Sequence, residues 1–198
     1  MMDIVNVGMN NAISGLSGMM CQQMEVTDIG LKKIAVKDVP DLFGGAEAMV
    51  VGIYLEISGD ATGQMIVIYQ PEVAFNHIYV LMGQALGTTS SLDELEVSAL
   101  GEMGNIMGSY FLNSLADHAG VSLQPSPPAV MLDMAGAILD IALWQIMQEN
   151  DNTFIAESSF KSCDTEINGQ FLVLLSHSLL SILQPEEHCS RAAAILMH

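Results

Sequence analysis

The chain of 198 residues is short of positive charge: five Lys and Arg side chains stand against 23 Asp and Glu, a formal net charge of −18. Nucleic-acid binding needs clustered Lys and Arg to neutralise phosphates, so this balance argues against a nucleic-acid partner. One basic cluster, Lys32, Lys33 and Lys37, is small. The acidity is compatible with the salty cytoplasm of a halophilic host and equally with an ordinary acidic cytosolic protein.

Cysteine is also scarce, and its pattern is uninformative about metals. Cys21, Cys163 and Cys189 are odd in number and show neither a CxxC pair nor a zinc-type spacing. The pattern fits a reducing cytosol, and we expect Cys21 and Cys163 to be buried as small apolar side chains. No Ser/His/Asp, Cys/His or HxxxH arrangement marks a nucleophile or a metal centre in the sequence.

Long uninterrupted apolar runs are missing as well. The first residues show no signal-type run, and the most apolar long segment, Ala129–Met147, contains Asp133 and Asp140. These acids favour a buried helix over a membrane span, so we expect a cytoplasmic protein without membrane insertion. Since 51% of the residues are hydrophobic, the chain has enough apolar surface for a sizeable core.

Hydrophobic periodicity predicts alternating helices and hairpins. In the first half the predicted elements are a helix over 3–23, a strand over 26–39, a hairpin of strands 48–58 and 63–69, and a helix over 70–83. In the second half they are a helix over 92–119 with Ser90 or Ser91 as N-cap, a proline-broken strand over 121–128, a helix over 131–149, a hairpin of strands 153–163 and 169–176, a helix over 177–183 and a tail over 185–198. We expect Trp144 in the core, and His77, His118 and His177 at or near the surface.

The order of these elements repeats, and so do two sequence segments. Gly63–Ile68 (GQMIVI) matches Gly169–Leu174 (GQFLVL), and Asp3–Val7 matches Glu102–Ile106. We interpret this as an internal duplication with repeats of about 1–86 and 92–184 within a single domain over 1–198. The predicted fold class is α/β in the wider sense, an α+β domain whose antiparallel sheet has a pseudo-two-fold axis and is flanked by two long motif-bearing helices.

The most informative stretch is residues 98–110, SALGEMGNIMGSY. Steps of four and three residues place Ser98, Glu102 and Asn105 on one face of a helix. We expect Ala99, Met103, Ile106 and Tyr110 to form the apolar stripe of that helix. Taken alone, a carboxylate and an amide one turn apart are more often a solvated helix face than a site.

These residues resemble the motif of the CheC family of chemotaxis phosphatases, which includes CheX and FliY. The family pattern is Asp or Ser, three residues, Glu, two residues, Asn, and Ser98, Glu102 and Asn105 fit it in full. Asp3 and Asn6 resemble a first copy of the motif, although Asp3 is about one methylene shorter than Glu, and no residue of this sequence stands four places before it.

The resemblance implies a hydrolase that acts on the aspartyl phosphate of the response regulator CheY. It assigns Asn105 to orienting the attacking water, as a glutamine does in GTPases, Glu102 to docking the regulator's active-site lysine, and Ser98 to a peripheral contact. Asp3 and Asn6 become a second catalytic pair, with Asn105 carrying most of the activity. The resemblance also implies that the Mg²⁺ is supplied by the bound regulator and that the chain has no metal or cofactor of its own.

The resemblance leaves two alternatives open. In one, the chain is a weakly catalytic or non-catalytic adaptor that binds phosphorylated CheY and the deamidase CheD, with the predicted helix over 131–149 and the hairpin edges as candidate surfaces. In the other, it is a flagellar-switch component like FliY. That interpretation is weakened because no additional switch-type domain is recognisable after residue 185.

Overall fold

The computed structural model describes residues 2–83, 92–149, 152–163 and 168–183. Its helices are α1 (Met2–Met20), a 3₁₀ helix (Val36–Phe43), α2 (Pro71–Met82), α3 (Glu94–Ala119), α4 (Ala135–Glu149) and α5 (His177–Leu183). Its strands are β1 (Met24–Ala35), β2 (Met49–Gly59), β3 (Gly63–Tyr69), β4 (Leu123–Pro125), β5 (Ala129–Met134), β6 (Asn152–Ser162) and β7 (Asn168–Leu175). The residues between the helices predicted over 70–83 and 92–119, and the predicted tail over 185–198, lie outside the described residues.

The strands form one antiparallel sheet in the order β1-β6-β7-β3-β2-β4, and β5 also pairs with β2. Helices α1, α2, α3 and α5 bury their apolar side chains on one face of the sheet. The 3₁₀ helix and α4 cover part of the other face. The predicted mixture of helices and antiparallel strands is therefore confirmed. The two long helices that carry the motifs lie together on one face.

The halves have similar element orders, with β4 and β5 in the place of β1 and α4 in the place of the 3₁₀ helix. Their first helices share most of a burial pattern. At one constant offset, seven buried positions of α1 have buried counterparts in α3: Ile4 with Met103, Val5 with Gly104, Gly8 with Met107, Met9 with Gly108, Ala12 with Phe111, Ile13 with Leu112 and Leu16 with Leu115. Gly15 and Met20 instead match the half-buried Ser114 and Ala119. The same offset pairs Asp3 with Glu102 and Asn6 with Asn105. Internal duplication stays a prediction, but these pairs make the two helices directly comparable.

Two predicted boundaries were wrong. The helix predicted from residue 131 begins at Ala135, because Ala129–Met134 pairs as β5 along β2 instead. The predicted N-cap of α3 was Ser90 or Ser91, which lie outside the described residues, but the cap is Asp93. Its Oδ1 accepts hydrogen bonds from the N–H groups of Leu95 and Glu96, and the Glu96 carboxylate accepts one from the Asp93 N–H. This reciprocal capping box fixes where α3 begins.

The predicted apolar stripe of α3 was displaced around the helix. The fully buried positions that face the sheet are Leu100, Met103, Met107 and Phe111, whereas Tyr110 is 51% exposed. Tyr110 and Ile106 lie instead beside Gly15 of α1. The neighbouring helix therefore shares the apolar surface of α3 with the sheet. A single-helix pattern cannot show this division.

Three other burial predictions were also wrong. Trp144 is 65% exposed, because α4 packs on the sheet through Ile138, Leu139, Ala142 and Leu143, and the indole points away from that face. Cys21 and Cys163 are exposed, since they follow the ends of α1 and β6. His77 is completely buried beneath α2, with its ring centroid 4.6 Å from that of Tyr69. His118 is exposed as predicted. The side chain of His177 is not among those that the structure describes.

Candidate functional site

The site begins with the way α3 lies on the sheet. At Gly104 an added Cβ atom would be 2.4 Å from Cγ2 of Ile53 on β2, so only glycine permits this approach. The helix ends at Gly120, whose φ of +67° is the left-handed conformation that suits glycine. Helix α3 ends at a glycine C-cap, packs closely on the sheet at Gly104 and begins at a capping box. It therefore holds the residues on its outer side in fixed positions, as a rigid carrier helix.

The predicted motif residues share that outer side. Ser98 and Glu102 are exposed and Asn105 is half-buried. Residues three and four apart on a helix have Cβ atoms about 5–6 Å apart, so the carboxylate and the amide are neighbours. Within the described part of the chain, no group forms a hydrogen bond with the side chain of Glu102 or Asn105. Both therefore present their full hydrogen-bonding capacity to a partner.

A second structural element faces the motif. An open groove of about 580 Å³, here called the docking groove, separates α3 from the segment after β4. Its lining residues are Val97, Ser98, Gly101, Glu102, Asn105, Pro125, Ser126, Pro127, Pro128 and Val130. Glu102 is the one charged residue among them, so the docking groove favours a positively charged partner group.

The far wall of the docking groove is a β-bulge that sequence reasoning missed. Pro125 pairs with Ile57 and Ala129 pairs with Tyr54, while the Ser126 N–H donates to the Glu56 carbonyl. Pro127 and Pro128 therefore stand together opposite one residue of β2, which defines a bulge. We call Ser126–Pro128 the proline bulge. The sequence signal was the run of three prolines, which predicted a broken strand but not its position against the motif.

The first motif lies in a different setting. Asp3 is exposed and Asn6 is half-buried, both near the start of α1. Helices α1 and α3 are antiparallel, because Gly8 lies beside Phe111 and Leu115 while Gly15 lies beside Ile106 and Tyr110. The first motif is therefore beside the last turns of α3, well away from Asn105. The structure groups the five predicted residues as two separate pairs, with Ser98 next to the second pair.

A cavity of about 330 Å³ near the first motif does not include it. That cavity is lined by Ile4, Val7, Asn11, Ser114, Asp117 and His118, without Asp3 or Asn6. The Asn11 amide donates a 2.6 Å hydrogen bond to Ser114 Oγ across the two helices. This cavity is a feature of the α1–α3 contact and gives the first motif no facing wall.

Among the described residues, no group of three or more His, Cys, Asp and Glu side chains is arranged to hold a metal ion. The helices in the same part of the chain include none with the length and hydropathy of a membrane span. The described lysines cluster elsewhere, on β1, the 3₁₀ helix and β6, where Lys32 pairs with Glu157 and Lys161 with Glu25.

The geometry defines a small α+β domain with a rigid helix that offers a carboxylate–amide pair to an open groove, and known proteins are similar to this chain in sequence and fold. A model described as the CheC-like family matches residues 95–132, which cover α3, the proline bulge and most of β5. The CheY-P phosphatase CheC of Bacillus subtilis is 30% identical over 176 residues, covering 87% of this chain and 84% of that protein. The chain belongs to the CheC-like family.

Solved structures show the same fold at lower sequence identity. Thermotoga maritima FliY superposes with a TM-score of 0.72 at 20% identity, covering 90% of this chain and 89% of that chain. A CheX–CheY–BeF₃–Mg²⁺ complex from Borrelia burgdorferi matches with a TM-score of 0.57 at 19% identity, over 87% of this chain and 97% of that chain. At these identities the likeness establishes the fold.

Proposed function

We propose that this protein is a phosphatase that hydrolyses the aspartyl phosphate of the response regulator CheY, with the docking groove as its principal site. One observation carries the proposal. Glu102 and Asn105 lie side by side on a rigid helix, unpaired within the described chain and open to a protein partner. The Bacillus subtilis relative, named a CheY-P phosphatase, supports the assignment of the reaction.

The chemistry needs little from the enzyme beyond positioning. An acyl phosphate is already activated, so the barrier falls when a water is held in line with phosphorus and the leaving carboxylate. The Asn105 side-chain amide has both an acceptor oxygen and donor hydrogens, so it can bind that water and orient its lone pair. The half-burial of Asn105 restricts its rotamers, which favours a water held in one orientation.

Glu102 supplies docking in this proposal. One helical turn before Asn105, its carboxylate would form a charge-assisted pair with a lysine at the regulator's active site. Ser98, one further turn away, would make a peripheral contact. The Mg²⁺ would be that of the regulator. The Borrelia burgdorferi relative was solved with CheY, Mg²⁺ and BeF₃, which stands in for a phosphoryl group, so a protein of this fold can meet CheY in that state.

The test is phosphate release from phosphorylated CheY by the wild type, Asn105→Ala and Asn113→Ala. Asn113 is exposed on the same helix, outside the docking groove, and is the matched control. We expect Asn105→Ala to lose nearly all stimulation of hydrolysis and Asn113→Ala to keep it. Full activity of Asn105→Ala would show the proposed mechanism to be wrong.

A second candidate function is an adaptor that binds CheD as well as phosphorylated CheY. The observation that favours it is on α4, where Ile141 is 57% exposed and Trp144 is 65% exposed. Binding of purified CheD to the wild type, Trp144→Ala and Leu95→Ala tests it, because Leu95 is a similarly exposed side chain on another helix. Loss of binding in Trp144→Ala alone would support the adaptor. Absence of CheD binding by the wild type would rule out the adaptor function.

A further inference from the structure

Few backbone hydrogen bonds are available to hold the proline bulge in position. Pro127 and Pro128 have no N–H group, so they cannot join the hydrogen-bond ladder as donors. Two residues stand opposite one residue of β2 at this point, so regular pairing is interrupted. The wall of the docking groove therefore depends on the residue that precedes the two prolines.

Ser126 is that residue, and it is tied to β2 twice. Its N–H donates to the Glu56 carbonyl over 2.8 Å, and its Oγ accepts from the Glu56 N–H over 2.9 Å. The same hydroxyl donates to the Pro127 carbonyl over 3.0 Å. One side chain thus joins the sheet to the peptide between the two prolines.

The other end of the proline bulge is set by α3. A Cβ atom added to Gly101 would lie 3.4 Å from Pro128 Cγ and 3.9 Å from Val130 Cγ2, so the helix and the wall are nearly in contact at the floor of the docking groove. Because the floor is this tight, a small change in the bulge changes the width of the opening beside Glu102 and Asn105.

The first half has a bulge at the matching position that lacks the side-chain hydrogen bonds made by Ser126. On β1, Val26 pairs with Phe160 and Asp28 pairs with Ser159, which leaves Thr27 as the additional residue. Thr27 corresponds to Ser126 at the offset that relates the two motifs. Within the described chain its hydroxyl makes no hydrogen bond, and no proline follows it. A hydrogen-bonded hydroxyl at this place is therefore not a general requirement for forming the bulge.

We infer that Ser126 is a positioning residue for the proposed reaction: it holds the proline bulge at the distance from α3 that the regulator's phosphate-bearing loops require. The inference rests on the proposed function, since the occupant of the docking groove is phosphorylated CheY. Ser126 touches neither the phosphate nor the water. It acts through Pro127 and Pro128, so its loss weakens docking more than the chemical step.

The experiment measures kcat and KM for phosphate release from phosphorylated CheY, and Kd for CheY activated with beryllofluoride and Mg²⁺. The variants are Ser126→Ala, Ser126→Thr, Asn105→Ala and the control Ser58→Ala. Ser58 lies on β2, the strand to which Ser126 is bound, and donates to the Gln124 carbonyl over 3.3 Å, outside the docking groove. We expect Ser126→Ala to raise KM and Kd about fivefold with kcat within about twofold of wild type. Ser126→Thr keeps a hydroxyl and should restore both values.

A purely structural role would lower the fraction of active protein, which reduces kcat and leaves KM unchanged. A reduced kcat with an unchanged KM in Ser126→Ala would therefore overturn the inference. Unchanged values of both KM and Kd would overturn it too, and so would an equal effect of Ser58→Ala. If Asn105→Ala is inactive while Ser126→Ala matches the wild type, only this inference fails. If Asn105→Ala stays active, the proposed mechanism fails, while Kd still decides the role of Ser126. A wild type that does not bind activated CheY would overturn both.

Discussion

Helices α1 and α3 carry equivalent acid–amide pairs but differ in what surrounds them. Around α3, a capping box fixes the first turn, the sheet holds the middle and the proline bulge forms a facing wall. Around α1, the pair falls within the first turns of the helix, its acid is shorter, and the neighbouring cavity excludes it. A motif provides the reactive groups, but its usefulness depends on a rigid carrier and a docking wall. This comparison predicts unequal sites.

The largest expected effect is on catalysis. Asn105→Ala should reduce kcat for CheY-P hydrolysis about 100-fold, which is typical when one positioned transition-state contact is removed. Asn6→Ala should reduce it less than about threefold. Single-turnover assays with both variants and the double variant measure the ratio. Equal losses in the two single variants would show that the sites are equivalent and would break the comparison.

The next effect concerns the rigidity of the carrier helices. Gly104→Ala places a methyl group 2.4 Å from Ile53 and should lower the free energy of unfolding by about 1–3 kcal/mol. Gly18→Ala in the last turn of α1 has nothing within 4 Å of the new methyl and should raise it by up to about 1 kcal/mol. Urea denaturation measures both. A neutral Gly104→Ala would mean that α3 is less tightly held than its geometry shows.

A smaller effect, on KM for phosphorylated CheY, should distinguish Glu102 from Asp3. Glu102→Gln keeps the shape of the side chain but removes its charge, so KM for phosphorylated CheY should rise about tenfold at low salt, and added salt should narrow the difference. Asp3→Asn should change KM less than about twofold. Glu94→Gln, on the same helix but outside the docking groove, is the control. A salt-independent effect of Glu102→Gln would argue against the ion pair.

The last effect is on acid stability and compares α2 with α5. His77 and Leu183 stand the same distance after Gly63 and Gly169 in the two matching segments, and both are buried. Burial lowers the pKa of His77 to about 3, and neither ring nitrogen has a hydrogen-bond partner in the described structure. The unfolded chain binds a proton below the ordinary pKa of 6.5 and the folded chain does not, so this group destabilises the fold as pH falls from 6.5 towards 3.

The variant His77→Leu makes the two positions alike and should reduce that acid sensitivity. Melting temperatures of wild type and variant, measured from pH 7 to pH 4, should diverge progressively as the pH falls, at about 2–4 °C per kcal/mol for a domain of this size. Parallel curves would mean that His77 finds a partner for its proton in the folded state.

The sequence predicted the parts of the molecule that depend on local pattern. The hairpin strand Gly63–Tyr69, the helix His177–Leu183 and the stop of α3 at Gly120 follow from alternation, periodicity and glycine. The failures had tertiary causes. Trp144 lies outside because α4 covers the sheet with a different face, and Ala129–Met134 is extended because β2 pairs with it.

For the site, the sequence and the resemblance identified Ser98, Glu102 and Asn105, because their spacing alone puts them on one helix face. The proline bulge, which forms the far wall of the docking groove, could not be predicted from spacing. Ser126 is adjacent to Glu56 only through the register of β4 and β5 on β2, and that register is set by pairing between residues about 70 positions apart. Long-range register is the information that a local pattern lacks.

The most direct test of the central claim is where activated CheY docks. Amide chemical shifts of the labelled protein can be followed while CheY with beryllofluoride and Mg²⁺ is added. We expect the largest changes at residues 97–105 together with Ser126 and Ala129, and small changes on α4 and in the first turns of α1. Changes centred on α4, or equally large at Asp3 and Asn6, would contradict it.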